Sequence, residues 1–269
     1  MTTANISEWF QEHSKPEGSI DVTVHILDDS KNPRLQEFMA KEIPSCYISK
    51  ENLNIRTNVT GYSASQIIKN KIPNPGSVMA GDFGEILTLF YLDGELEEEV
   101  LKVKKWRFKQ DRNKAAPHSD VILLYKAEKD KPSAKDFVVC AEAKMKSTKN
   151  SSTSPIEASI TDSDKDKTGR LARTLSWLKE KEIDHGDEDS ISFMNRFTRE
   201  HLDVSFSKKF RAVAIIDRKF LDEELLKELP TAIPVQDDTF EVVVLAIKDL
   251  KDLYGASFEC AVNEGDVHE

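Results

Sequence analysis

The chain has 269 residues, 39% of them hydrophobic, enough to bury the core of one large or elaborated domain. Its formal net charge of -10 excludes a free-standing protein that coats nucleic acid through bulk positive charge, because phosphate contacts dominate such binding. Cys46, Cys140 and Cys260 form no CxxC or Cys/His pattern, so neither structural zinc nor a disulfide framework is expected. No apolar run approaches a membrane span and the first 15 residues lack a signal-type core, so a cytoplasmic location without a membrane is expected.

Residues 19–28 (SIDVTVHILD) alternate apolar and polar side chains, as a half-buried strand does. A short helix opening on a proline is predicted over 33–41, and Pro-Asn-Pro-Gly at 73–76 breaks regular structure. The apolar density of 81–92 (GDFGEILTLFYL) predicts a buried helix, with Asp82 as its N-cap and Glu85 completing a capping box. Trp106 and Phe108 alternate with Lys105, Arg107 and Lys109, which predicts a strand with a buried aromatic face and a basic face toward solvent. Strands at 120–125 (DVILLY) and 137–144 (FVVCAEAK), joined by a polar loop, suggest an antiparallel hairpin.

Residues 147–155 (STKNSSTSP) read as a mobile loop. The segment 156–182 then becomes helical, with Leu171, Leu175 and Leu178 at i, i+4 and i+7. Near-continuous apolar strands at 210–217 and 239–247 predict a sheet covered on both faces, with helices near 219–229 and 248–254 and a disordered terminal GDVHE.

The chemistry concentrates in 117–144. In a strand over 137–144, Val138, Cys140, Glu142 and Lys144 share one face, so two successive same-face charges end an otherwise apolar strand. Burying them unpaired would be costly. A divalent cation resolves this: Mg²⁺ binds through one or two carboxylates plus substrate phosphate, and Mn²⁺ is expected to substitute. Asp120 at one strand's start and Glu142 on its neighbour can converge on such an ion, while Lys144 positions a water or offsets charge on phosphoryl oxygens.

At these residues the sequence resembles the PD-(D/E)xK nuclease superfamily. Asp120 matches the first acid, with Pro117 three positions before it where the motif has them adjacent, and Glu142-Ala143-Lys144 matches E-x-K. The resemblance implies Glu85 as a possible additional acid from a preceding helix. More widely, GDFGE at 81–85, WRFKQ at 106–110, PHSDVILL at 117–124 and EAKMK at 142–146 resemble the HamA family of Hachiman anti-phage defence. That resemblance implies a DNA-degrading effector and a HamB-like helicase partner.

Other readings compete residue by residue. Asp120 is also compatible with an Asx turn, Glu85 with a helix cap or solvent face, and His118 with a surface turn. Lys165, Lys167, Arg170 and Arg173 form either a solvated face or a clamp on DNA phosphates beside the site.

The expected fold is α/β and restriction-endonuclease-like, a central mixed sheet flanked by helices. Residues 1–75 would form an N-terminal α/β region packing on a nuclease core over 76–260, and 261–269 a flexible tail. The expected function is Mg²⁺-dependent DNA hydrolysis by Asp120, Glu142 and Lys144, in a complex whose helicase subunit holds and controls the nuclease. The alternative is a catalytically inactive adaptor of the same fold that docks a helicase and guides or occludes DNA. No P-loop, HExxH or GxSxG pattern is present, so ATP hydrolysis by this chain, zincin proteolysis and α/β-hydrolase chemistry are not expected.

Overall fold

The computed structural model describes residues 4–129, 131–149, 153–186, 188–198 and 204–264. In chain order these form β1 (Phe10–Glu12), β2 (Thr23–Leu27), α1 (Asn32–Tyr47), α2 (Lys50–Thr60), α3 (Ala64–Lys71) and α4 (Ser77–Gly94). There follow β3 (Leu101–Lys102), a 3-10 turn at Lys105–Phe108, β4 (Val121–Tyr125), β5 (Phe137–Lys146), α5 (Pro155–Lys165) and α6 (Leu171–His185). The remainder is α7 (Glu188–Thr198), β6 (Ser207–Asp217), α8 (Leu221–Leu225), β7 (Phe240–Ile247) and α9 (Leu250–Glu264).

One seven-stranded sheet runs in the order β1-β2-β7-β6-β5-β4-β3. Its centre, β2-β7-β6-β5, is parallel, and antiparallel pairs close both edges. This is the mixed α/β architecture expected from the sequence, and the β4–β5 hairpin has the expected antiparallel sense. The first 75 residues supply two strands of this sheet and helix α1, which packs along α9.

The apolar runs of β5, β6 and β7 follow from burial on both faces. On one face Val139, Ala141, Val213, Ile215, Val243 and Leu245 pack beneath α1, α4 and α9. On the other, Ala212, Ala214, Val242 and Val244 pack against Ile156 and Ile160 of α5 and Leu221 and Leu225 of α8. Further along that face, Val138 and Cys140 meet Leu171, Leu175 and Leu178 of α6 with Met194 and Phe197 of α7. The Leu171-Leu175-Leu178 stripe is therefore core, as its helical spacing required.

Several local expectations are corrected. The helix expected at 81–92 starts earlier, at Ser77, which puts Asp82 inside it, buried, instead of at the N-cap. A capping box does occur in the chain, between Ser63 and Gln66 at the start of α3. The basic-aromatic alternation at 105–109 is a 3-10 turn, so neighbouring side chains do not divide between two faces, and Lys105 is buried.

The helix expected over 219–229 contracts to a 3-10 turn and the short α8. The flexible tail expected over 261–269 is corrected for its first residues, because Ala261 is fully buried in the core and α9 continues to Glu264. The terminal GDVHE lies outside the described residues, as do 150–152 of the loop expected at 147–155. Cys46, Cys140 and Cys260 are all free. Among the described residues no helix is long and apolar enough to cross a membrane.

Candidate active site

β4 begins at Val121 opposite Ala141, so β5 runs on past its antiparallel neighbour from Glu142 to Lys146. On its other side β5 stays paired with β6 through this stretch. Glu142 and Lys144 thus leave the sheet where one edge of β5 opens, and Asp120 sits at the mouth of that opening. The backbone N–H of Ala143 donates to Asp120 Oδ2 at 3.1 Å, a contact between strands and not the local Asx turn that the sequence also allowed.

The three sequence-predicted residues are brought together. Lys144 Nζ lies 2.6 Å from Glu142 Oε1 and 3.9 Å from Asp120 Oδ2. It also lies 2.9 Å from Asp162 Oδ2 on α5, an acid that the sequence reading did not single out. Glu142 is almost wholly buried, whereas the Lys144 side chain remains 30% exposed, so the lysine faces the solvent-accessible side.

Burial raises the pKa of Glu142, and the nearby Asp120 charge raises it further, against the opposing pull of Lys144 and Arg170. Burial disfavours the Lys144 ammonium, but the Asp120 and Glu142 carboxylates outweigh it and hold its pKa above the ordinary lysine value. At neutral pH Lys144 is a firm cation.

Glu85 lies on α4 with its side chain turned inward, neither cap nor solvent face. Its Oε2 accepts from Trp106 Nε1 at 3.1 Å and stands 3.2 Å from Lys105 Nζ. Burial raises the Glu85 pKa, with Lys105 opposing the shift. Lys105, misread from sequence as solvent-facing, reaches Asp120 Oδ1 at 3.7 Å and donates to the Ser119 carbonyl at 2.8 Å. A turn earlier on α4, Asp82 accepts from Tyr47 Oη at 2.5 Å and pairs with Lys109 at 2.7 Å, anchoring the same 3-10 segment.

The basic run divides. Arg170 turns into the site: its Nη2 donates to Glu142 Oε2 and to the Asp162 carbonyl, and its Nε pairs with Asp166 at 2.7 Å. Asp166 is itself buried and accepts from Ser119 Oγ at 2.6 Å, while Ser119 Oγ also meets Thr174 Oγ1 at 2.8 Å. Lys165 pairs with Asp162, and Lys167 pairs with Asp164 and lies over the Phe240 ring. Arg173 is exposed on α6. His118, with a left-handed φ of 71°, leans on Trp177 with ring centroids 5.1 Å apart.

Arg170 reaches Glu142 because the chain kinks between α5 and α6 at Gly169, whose φ is 128°. An L side chain is strained there. Gly169→Ala is therefore expected to lower stability by about 1–3 kcal/mol. Chemical denaturation measures this, and an unchanged midpoint would show that the kink relaxes freely.

Asp120 and Glu142 fit a hard divalent cation. They are oxygen donors, two in number, that converge on one ammonium at an open sheet edge, and Mg²⁺ binds through one or two carboxylates. Among the described residues no group of three or more acidic, histidine or cysteine side chains is arranged to hold a metal. Glu85 therefore does not join Asp120 and Glu142 in one cage.

The mixed sheet, its two helical layers and this acid–lysine cluster at a diverging hairpin define the class: an α/β protein consistent with a nuclease-like core. The chain belongs to the HamA family, whose family model matches residues 4–260 of the 269. It is thus a component of Hachiman anti-phage defence. No curated protein matches it.

Proposed function

We propose that this chain is a Mg²⁺-dependent deoxyribonuclease, the effector of a Hachiman complex in which a helicase subunit holds and controls it. The observation that carries this reading is the convergence of Asp120, Glu142 and Lys144 where β5 leaves β4. Asp120 and Glu142 would hold the ion, which when bound supplies a polarised phosphate and an acidified water. Lys144, a cation with partial exposure, orients the attacking water or offsets charge on the phosphoryl oxygens. Arg170 holds the far oxygen of Glu142, which fixes that carboxylate and opposes its protonation. The Ala143 N–H and Lys105 hold the two oxygens of Asp120.

Control by a partner follows from charge and from the lack of a motor. A net charge of -10 repels a polyanion, although salt limits that reach to about 8 Å. The chain carries no P-loop of its own. The test is to incubate the purified chain, alone and with a Hachiman helicase subunit, with plasmid DNA in Mg²⁺ or EDTA. Cleavage should require the metal and should be weak for the chain alone. In the complex it should rise with ATP and respond to DNA ends or single-stranded stretches. Cleavage that persists in excess EDTA would remove the metal reading. A helicase that fails to associate at micromolar concentration, or that leaves the rate unchanged with ATP, would remove the control. A chain that binds the helicase but never cleaves would be the inactive adaptor.

A further inference from the structure

Asp120 is shared between two ammonium groups that differ in access. On one side stands Lys144, 3.9 Å from Oδ2 and 30% exposed. On the other stands Lys105, 3.7 Å from Oδ1 and only 2% exposed. Lys105 is turned to protein partners: it donates to the Ser119 carbonyl at 2.8 Å and lies 3.2 Å from Glu85 Oε2, with Asp120 Oδ1 at an ion-pair distance of 3.7 Å. At 2% exposure it has no path to a DNA phosphate.

One oxygen of the Glu85 carboxylate, Oε2, receives both Lys105 and the indole N–H of the next residue, Trp106. The point at which Glu85 and Asp120 converge is thus already filled by a cation that the chain provides. The point at which Asp120 and Glu142 converge also holds a lysine, Lys144, but that side chain is 30% exposed, so this is the point an ion from solvent can reach.

We propose that the centre takes one divalent ion, on the Lys144 side of Asp120, and that Lys105 is a built-in cation occupying the place of a second. Glu85 is then a positioning residue that acts through Lys105 and is not a metal ligand. This rests on the metal-dependent reading of Asp120 and Glu142 and specifies the number of ions and their ligands. Three acids near one another would otherwise favour two cations, since like carboxylates in a buried site cannot all remain ionised unpaired. The buried ammonium removes that need.

Mn²⁺ binding to the full-length chain, followed by the loss of the free-ion electron paramagnetic resonance signal, tests this without any cleavage assay. One Mn²⁺ per chain is expected. Glu85→Gln should lower the affinity less than Asp120→Asn or Glu142→Gln, each of which should lower it more than about tenfold, beyond the low end of the loss seen for residues that only position a ligand. In a Lys105→Met background Glu85 is released, and adding Glu85→Gln should then weaken Mn²⁺ binding.

Two ions per chain would overturn the proposal. So would a Glu85→Gln loss equal to that of Asp120→Asn, or a Glu85→Gln effect that is the same in both backgrounds. If Lys105→Met does not fold, the stoichiometry and the single Glu85→Gln variant decide the question. Indifference of Mn²⁺ binding to both Asp120→Asn and Glu142→Gln would instead defeat the underlying metal reading.

Discussion

Lys144→Met is expected to slow DNA cleavage by the helicase complex by roughly 10²–10³-fold, the usual cost of removing one preorganised charge-stabilising donor from an active site. The expectation rests on position. Lys144 is more exposed than Arg170 or Lys105 and lies within 3.9 Å of both Asp120 and Glu142. The stability cost should be modest, because Arg170 still neutralises Glu142 after Lys144 is gone. That cost should shrink when Mg²⁺ is added, since the ion takes over part of the lost compensation. Single-turnover cleavage and thermal melts with and without Mg²⁺ measure both effects. Wild-type cleavage by the variant would sink the assignment of Lys144.

Arg196→Ala is expected to show the largest loss of stability, about 3–5 kcal/mol, because it strands a buried charge. Asp136, at the base of the β4–β5 hairpin loop, has no exposed surface and is paired with Arg196 of α7. It also accepts the N–H groups of Ala127 at 2.8 Å and Ser133 at 3.0 Å. Burial works against its charge, but these N–H donors and the guanidinium prevail and hold its pKa below the ordinary 3.8.

The sign of the pH effect follows from that depression. The contribution of Asp136 is present above its unfolded value and is lost as pH falls through the lower folded value. Denaturant titrations at neutral pH and near pH 3 should show the gap between wild type and variant narrowing in acid. A constant gap would mean that Arg196 acts by packing on Phe206 and not by charge.

What the sequence made legible has a common physical cause. β5, β6 and β7 carry long apolar runs because both faces are covered, and Glu142 and Lys144 stood out only against that background. α2 went unseen because none of its residues is buried, so it prints no periodicity. β1 and β3 are edge strands of three and two residues, too short for alternation to register.

The partners of the site were hidden for another reason. Lys105 reaches Glu85, and Asp166 reaches Ser119, only through the tertiary fold, and nothing in local spacing marks such contacts. Lys105 was misread because the same alternation that signals a strand also occurs in a 3-10 turn, where it has no facing meaning.

The sheet order also bears on when the candidate site can assemble at all. Thr23 of β2 pairs with Val243 of β7, so the N-terminal hairpin has no place to dock until most of the chain has left the ribosome. β5 likewise waits for β6, whose residues Ala212 and Ala214 lie beside Glu142 and Lys144. Parallel pairings across such separations form late and slowly. A nascent or truncated chain therefore carries Asp120, Glu142 and Lys144 without the scaffold that gathers them, and translation itself delays the assembly of that cluster.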